Sequence, residues 1–123
     1  MDQGSKGISH INVELNQESL EIIIDTFSYM AENYDAAGVI DHAAWIIEKQ
    51  ELENTAAMLK PYADSGQDPV DISMGYDEWN TYSRLVDYAG YAAPKQEDRA
   101  LLEDLFETYS DWEDEGSVPT GPT

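Results

Sequence analysis

The chain carries 26 Asp and Glu against 6 Lys and Arg, a formal net charge of −20 at pH 7 over 123 residues. Whatever it folds into must bury apolar side chains while leaving nearly all of these carboxylates in water, because an unpaired buried ion costs on the order of several kcal/mol. Amphipathic helices meet that condition, with one apolar stripe turned inward and the charge on the opposite face. The same charge excludes binding to a phosphate backbone, which draws on clustered Lys and Arg. It also disfavours an anionic membrane surface. Basic partners, or very salty water, are the surroundings such a surface suits. A 41% apolar share with 11% aromatics keeps the chain out of the disordered class. Its length suits one domain.

With no cysteine, disulfides, thiol nucleophiles, Cys-based zinc sites and iron–sulfur clusters are excluded together. The longest apolar stretches, Ile22 to Ile24 and Ala43 to Ile47, are far short of the roughly 20 residues a membrane-spanning helix needs. The start, MDQGSKG, lacks the apolar run of a signal peptide. The expected address is the cytoplasm of the producing or infected cell. Residues 1–7 and 116–123, rich in Gly, Ser, Pro and Thr, are expected as flexible tails around a single domain at 8–115.

Ile11, Val13 and Leu15 alternate with polar residues at the period of a half-buried strand, and Val70, Ile72 and Met74 repeat the pattern. Sequence leaves open whether the two pair within one chain or form a two-chain sheet in a homodimer. Leu20, Ile23, Ile24, Phe27, Met30, Ala31 and Tyr34 fall on one helical stripe, with Asn16 as N-cap and Gly38 as stop. A second helix is predicted from Val39 to Leu59, ending near Pro61 and antiparallel to the first. Trp79, Tyr82, Val86 and Ala89 mark a third helix, weakened at its end by Gly90. Pro94 suits the opening of a fourth, with Leu101, Leu102, Leu105, Phe106, Tyr109 and Trp112 as its stripe and Gly116 as its end. The predicted fold class is therefore α+β, mainly helical: two helical hairpins with one or two short strands, in the order strand, helix, helix, strand, helix, helix.

Catalytic and metal-binding patterns are sparse. Glu18 and Glu21 form an ExxE pair on the first helix, and Glu48 and Glu51 form another on the second. This arrangement resembles the magnesium-binding pattern of the all-helical nucleoside triphosphate pyrophosphatases of the MazG type, and implies Mg-dependent triphosphate hydrolysis. The resemblance covers those four residues, with Glu51 where that family has Asp. In a chain this acidic such pairs arise by chance, and the region offers chiefly Lys49 and Lys60 to meet a triphosphate. Asp111, Glu113, Glu115 and Gly116 follow the opening of an EF-hand loop, but position twelve is Pro122, which supplies no carboxylate. The loop acids Asp64, Asp68 and Asp71 read as a solvated surface, and His10 and His42 form no HExxH-like pair. GxSxG and phosphate-cradling glycine loops are absent from the sequence. No enzyme activity, cofactor or metal is expected.

What remains informative is the placement of charge. Glu18, Glu21, Asp25 and Glu32 run down the first helix opposite its apolar stripe. Glu103, Glu107, Asp111 and Asp114 do so on the last, thickened by Asp104, Glu113 and Glu115, and no basic residue follows Arg99. Rows of carboxylates at helical spacing imitate a line of phosphates. In composition, though not in any motif, the chain resembles the DNA-mimic proteins with which phages and mobile elements block host defence. The expectation is a non-enzymatic inhibitor that binds a basic, nucleic-acid-handling protein through Glu103, Glu107, Asp111, Glu113, Asp114 and Glu115, with Glu18, Glu21 and Asp25, and with Tyr29, Tyr76, Tyr88 and Tyr91 among the candidate edge contacts. The alternative is an acidic helical protein of a halophile or its virus, with a structural or adaptor role, which the presence of only four lysines favours.

Overall fold

A computed structural model describes residues 10–34, 48–116 and 120–121. The elements are β1 (His10–Leu15), α1 (Gln17–Glu32), α2 (Lys49–Asp64), β2 (Val70–Met74), α3 (Tyr76–Ala92), α4 (Gln96–Glu115) and β3 (Thr120–Gly121). This is the expected mainly helical α+β order, with a third strand added. Gly38, His42 and the predicted start of the second helix, including Trp45, lie outside the described residues.

β1 and β2 pair antiparallel within the chain, with Val13 opposite Ile72 and Leu15 opposite Val70. Ile11, Val13, Leu15, Val70, Ile72 and Met74 are buried, whereas Asn12, Glu14, Asp71 and Ser73 are exposed. The sheet thus packs the helices on one face and meets water on the other, which is why strict alternation marked both strands. Thr120 and Gly121, in the segment expected as a C-terminal tail, pair with Ile11 and His10 and give the strand order β2-β1-β3. At the other edge the Tyr62 hydroxyl lies 3.3 Å from the Ser73 carbonyl oxygen and accepts from the Ser73 amide at 3.4 Å, occupying part of that strand's open ladder.

Asn16 caps α1 as predicted, its side chain accepting from the Ser19 amide at 2.8 Å. The helix stops at Glu32, with the Asn33 side chain donating back to the Tyr29 carbonyl at 2.9 Å. α2 runs on through Pro61 to Asp64, against the expectation of an end near the proline. Its last turn is held from outside: the Gln17 side chain donates to the Tyr62 and Gln67 carbonyls, and the Tyr62 ring reaches β2. Pro61 is exposed, so the carbonyl its ring leaves unpaired can turn to water. α3 ends at Ala92, two residues past Gly90, and α4 begins at Gln96, after rather than on Pro94. Gly90 has a packing reason: a Cβ there would stand 3.3 Å from the Glu103 side chain, so glycine lets the α4 backbone come close. Gly116 ends α4 in the left-handed region at φ 69°, as a C-cap glycine should.

α1 and α2 run antiparallel, as do α3 and α4. The two hairpins meet through Phe27 on α1, edge-on to Tyr82 on α3 at 6.5 Å, and through the Arg84–Glu51 ion pair of α3 and α2 at 2.9 Å. Along the α3–α4 seam the Trp79 ring lies 5.0 Å from Tyr109 and stacks at 6.2 Å on Trp112, while the buried Tyr82 and Tyr109 hydroxyls share a 2.7 Å hydrogen bond. Burial pushes the Tyr109 hydroxyl from its usual 10 up to about 12, and pushes Tyr82 well above its ordinary value.

Those raised values fix a sign. Below about pH 10 both phenols are protonated in the folded and the unfolded chain; above it the unfolded tyrosines ionise first, so stability falls as pH climbs from 10 toward 12. Each phenol withdraws about 1.4 kcal/mol per pH unit in that window. Urea midpoints are expected to drop steeply over the interval, and Tyr109→Phe is expected to flatten the drop. A profile level to pH 12 would mean the phenols are not sealed from water.

Candidate interaction surface

The helices divide the charge unevenly. α1 has four carboxylates and no basic residue, and α4 has nine against Arg99, for net charges of −4 and −8. α2 and α3 are close to balanced at −1 and −2. The acidic helices are neighbours: Glu18, Glu21 and Asp25 of α1 and Glu97 and Asp98 of α4 line one cleft of about 470 Å³, together with Lys95. A second cleft, of about 480 Å³, lies on the other flank of α4 and is lined by Glu103, Phe106, Glu107, Ser110 and Asp111 with Asp87 and Tyr91 of α3.

The structure therefore sorts the predicted contact residues into groups. Glu103, Glu107 and Asp111 converge on the α3–α4 cleft, and Glu18, Glu21 and Asp25 on the α1–α4 cleft. Asp114 and Glu115 are exposed at the end of α4. Glu113, exposed as well, is engaged by the fold, its carboxylate accepting from the buried Trp79 indole N–H at 3.1 Å. Of the four tyrosines, Tyr91 and Tyr76 stand out at 67% and 53% exposure, while Tyr29 and Tyr88 are half-buried. Asp87 and Phe106 were not singled out from sequence as contacts. Asp87 sits one helical turn before Tyr91, but its membership of the cleft depends on how α4 docks. Partial burial raises its carboxyl above the ordinary range.

The four carboxylates of the pyrophosphatase-like pattern do not converge. Gln17, at the start of α1, bonds to the end of α2, while Ser28 and Glu32 at the far end of α1 border Glu53 of α2. Glu18 and Glu21 thus lie toward the opposite end of the hairpin from Glu48 and Glu51. Glu51 is engaged twice, by the Glu48 amide at 3.1 Å and by Arg84. Among the described residues no three His, Asp or Glu side chains are placed to hold a metal ion. Asp111, Glu113 and Glu115 belong to helix α4 rather than to a calcium-binding loop, and Asp68 accepts from the Gln17 amide at 3.2 Å. No described helix is long and apolar enough to cross a membrane.

α4 bears its charge at a cost. Glu103, Glu107, Asp111 and Glu115 follow one another at i and i+4, about 6 Å apart along the axis. Each such like-charge pair destabilises by roughly 0.2–0.5 kcal/mol. Glu113, Asp114 and Glu115 crowd the carbonyl end of the helix, where its dipole favours cations and no basic residue is present. Compared with protein-family models, curated proteins and solved structures, the chain matches none.

Two substitutions on this one helix are expected to move stability in opposite directions. Glu107→Lys removes two repulsive neighbours and should raise the unfolding free energy by about 0.5–1 kcal/mol. Glu113→Ala leaves the Trp79 indole N–H without an acceptor and should lower it by about 1–3 kcal/mol. Chemical denaturation of both variants checks the sorting; the same sign for both would undo it.

Proposed function

We propose that this protein is a non-enzymatic interaction protein that docks on a basic, nucleic-acid-handling partner and occupies its nucleic-acid groove in the manner of a DNA mimic. The observation that carries this reading is the lopsided charge: α1 and α4, which adjoin along one cleft, together have a net charge of −12, while α2 and α3 together have −3. A purely solubilising acidic coat would have no reason to leave two helices of four near charge balance. Carboxylates on one side steer a cationic partner and orient it as it arrives. Tyr91, exposed at the rim of the α3–α4 cleft, adds contact area with a polar tip. The place of action in this reading is the cytoplasm, of the host if the protein is viral.

The halophilic reading draws on a different observation: Glu14 and Asp71 on the outer face of the sheet, Asp68 before β2 and Asp77 at the start of α3 are also exposed, so acidity is not confined to α1 and α4. The two traits are compatible in a virus of a salt-loving host.

The triple variant Glu103→Lys, Glu107→Lys and Asp111→Lys is expected to keep its helical circular dichroism and to lose capture of basic proteins from lysate. Material held by the wild-type chain should be enriched in nucleic-acid-binding proteins and should be released by excess duplex DNA. If the folded variant captures the same proteins, the α3–α4 face is not where they dock. If duplex DNA releases nothing, the mimicry itself is wrong.

A further inference from the structure

The α3–α4 seam sets two forces against each other. α4 is the longest helix, at 20 residues, yet Leu102 and Tyr109 are its only fully buried side chains; the 16-residue α2 buries three residues and α1 and α3 seven each. Ring contacts with Trp79 and Tyr82 and the indole bond to Glu113 hold it in place. Against them, Asp87 of α3 borders the same cleft as Glu103, Glu107 and Asp111 of α4, with Tyr91 its remaining titratable neighbour. Among the described residues no Lys or Arg lines this cleft, and Arg84, one turn before Asp87, is bonded to Glu51 on α2.

These forces respond differently to ions. Ring packing is short-ranged and not screened, whereas the reach of carboxylate repulsion shrinks from about 30 Å at 0.01 M salt to about 3 Å at 1 M. An element with few buried apolar contacts is also the kind that opens locally before the domain unfolds. We propose that α4 is an electrostatic latch: cations close it against α3, and at low ionic strength carboxylate repulsion across the seam loosens it while the sheet and the α1–α2 hairpin stay folded. The latch rests on the seam alone and does not require the proposed partner. A basic surface arriving on α4 would close it as salt does, so docking and ordering of this helix are coupled.

Hydrogen exchange followed by mass spectrometry on the full chain, in about 0.01 M and about 1 M KCl at neutral pH, reads the latch segment by segment. Exchange across α4 is expected to slow about tenfold or more at the higher salt, with α1 and β1 changing by less than about threefold. Asp87→Asn, which removes one carboxylate from the seam at nearly constant size, is expected to recover much of that protection at low salt and to shrink the salt effect. If that variant does not fold, Glu107→Gln provides the same reading from the other side of the cleft. Unchanged α4 exchange, or equal slowing in α1 and α4 as general stabilisation by salt would give, overturns the proposal.

Discussion

The aromatic seam between α3 and α4 is what allows this chain to carry its charge. Trp79 lies against Tyr82, Tyr109 and Trp112, and Tyr109 against Tyr82 and Trp112, with ring centres between 5.0 and 6.2 Å apart, within the range where aromatic pairs attract beyond their buried area. They anchor a helix of net charge −8 that has two fully buried side chains and several repelling neighbours. The seam also connects to the other hairpin, because Tyr82 meets Phe27 of α1. Take the rings away and α4 has little to hold it, while the sheet and the first hairpin keep their own apolar contacts.

The distribution of charge follows from the same arrangement. α3 packs against the other three helices and the sheet and joins α2 through the Arg84–Glu51 pair, whereas α1 and α4 each turn a broad acidic side outward. The two acidic sides adjoin across the α1–α4 cleft, and α4 is the ridge between that cleft and the one shared with α3. For the basic partner proposed above, this ridge presents carboxylates in both flanking clefts. It also concentrates unfavourable repulsion, and that tension between packing and charge is the physical basis of the proposed latch.

Much of the fold was legible in the sequence because its signals are periodic. The alternation at Ile11, Val13 and Leu15 reports a one-sided sheet, the Asn16 cap reports where α1 begins, and Gly116 reports where α4 ends. Ends that rest on tertiary contact were misread. Pro61 forecast an early stop for α2, yet contacts from Gln17 and to β2 carry the helix three residues further. Gly90, read as weakening the end of α3, lies two residues before that end and also has a packing role beneath Glu103, which its own sequence context does not signal. Two-residue β3 has too little pattern for any periodic signal to show it.

The sequence by itself determined that this is a mainly helical α+β domain with carboxylates on the faces opposite its apolar stripes, because helical and strand periods fix which residues share a side. Tertiary structure alone decided which carboxylates meet. It placed Asp87 against Glu103, Glu107 and Asp111, committed Glu113 to Trp79 and Glu51 to Arg84, and kept Glu18 and Glu21 apart from Glu48 and Glu51. Spacing along one helix cannot specify the level at which a second helix docks, since that is set by ring packing and by a glycine that permits close approach.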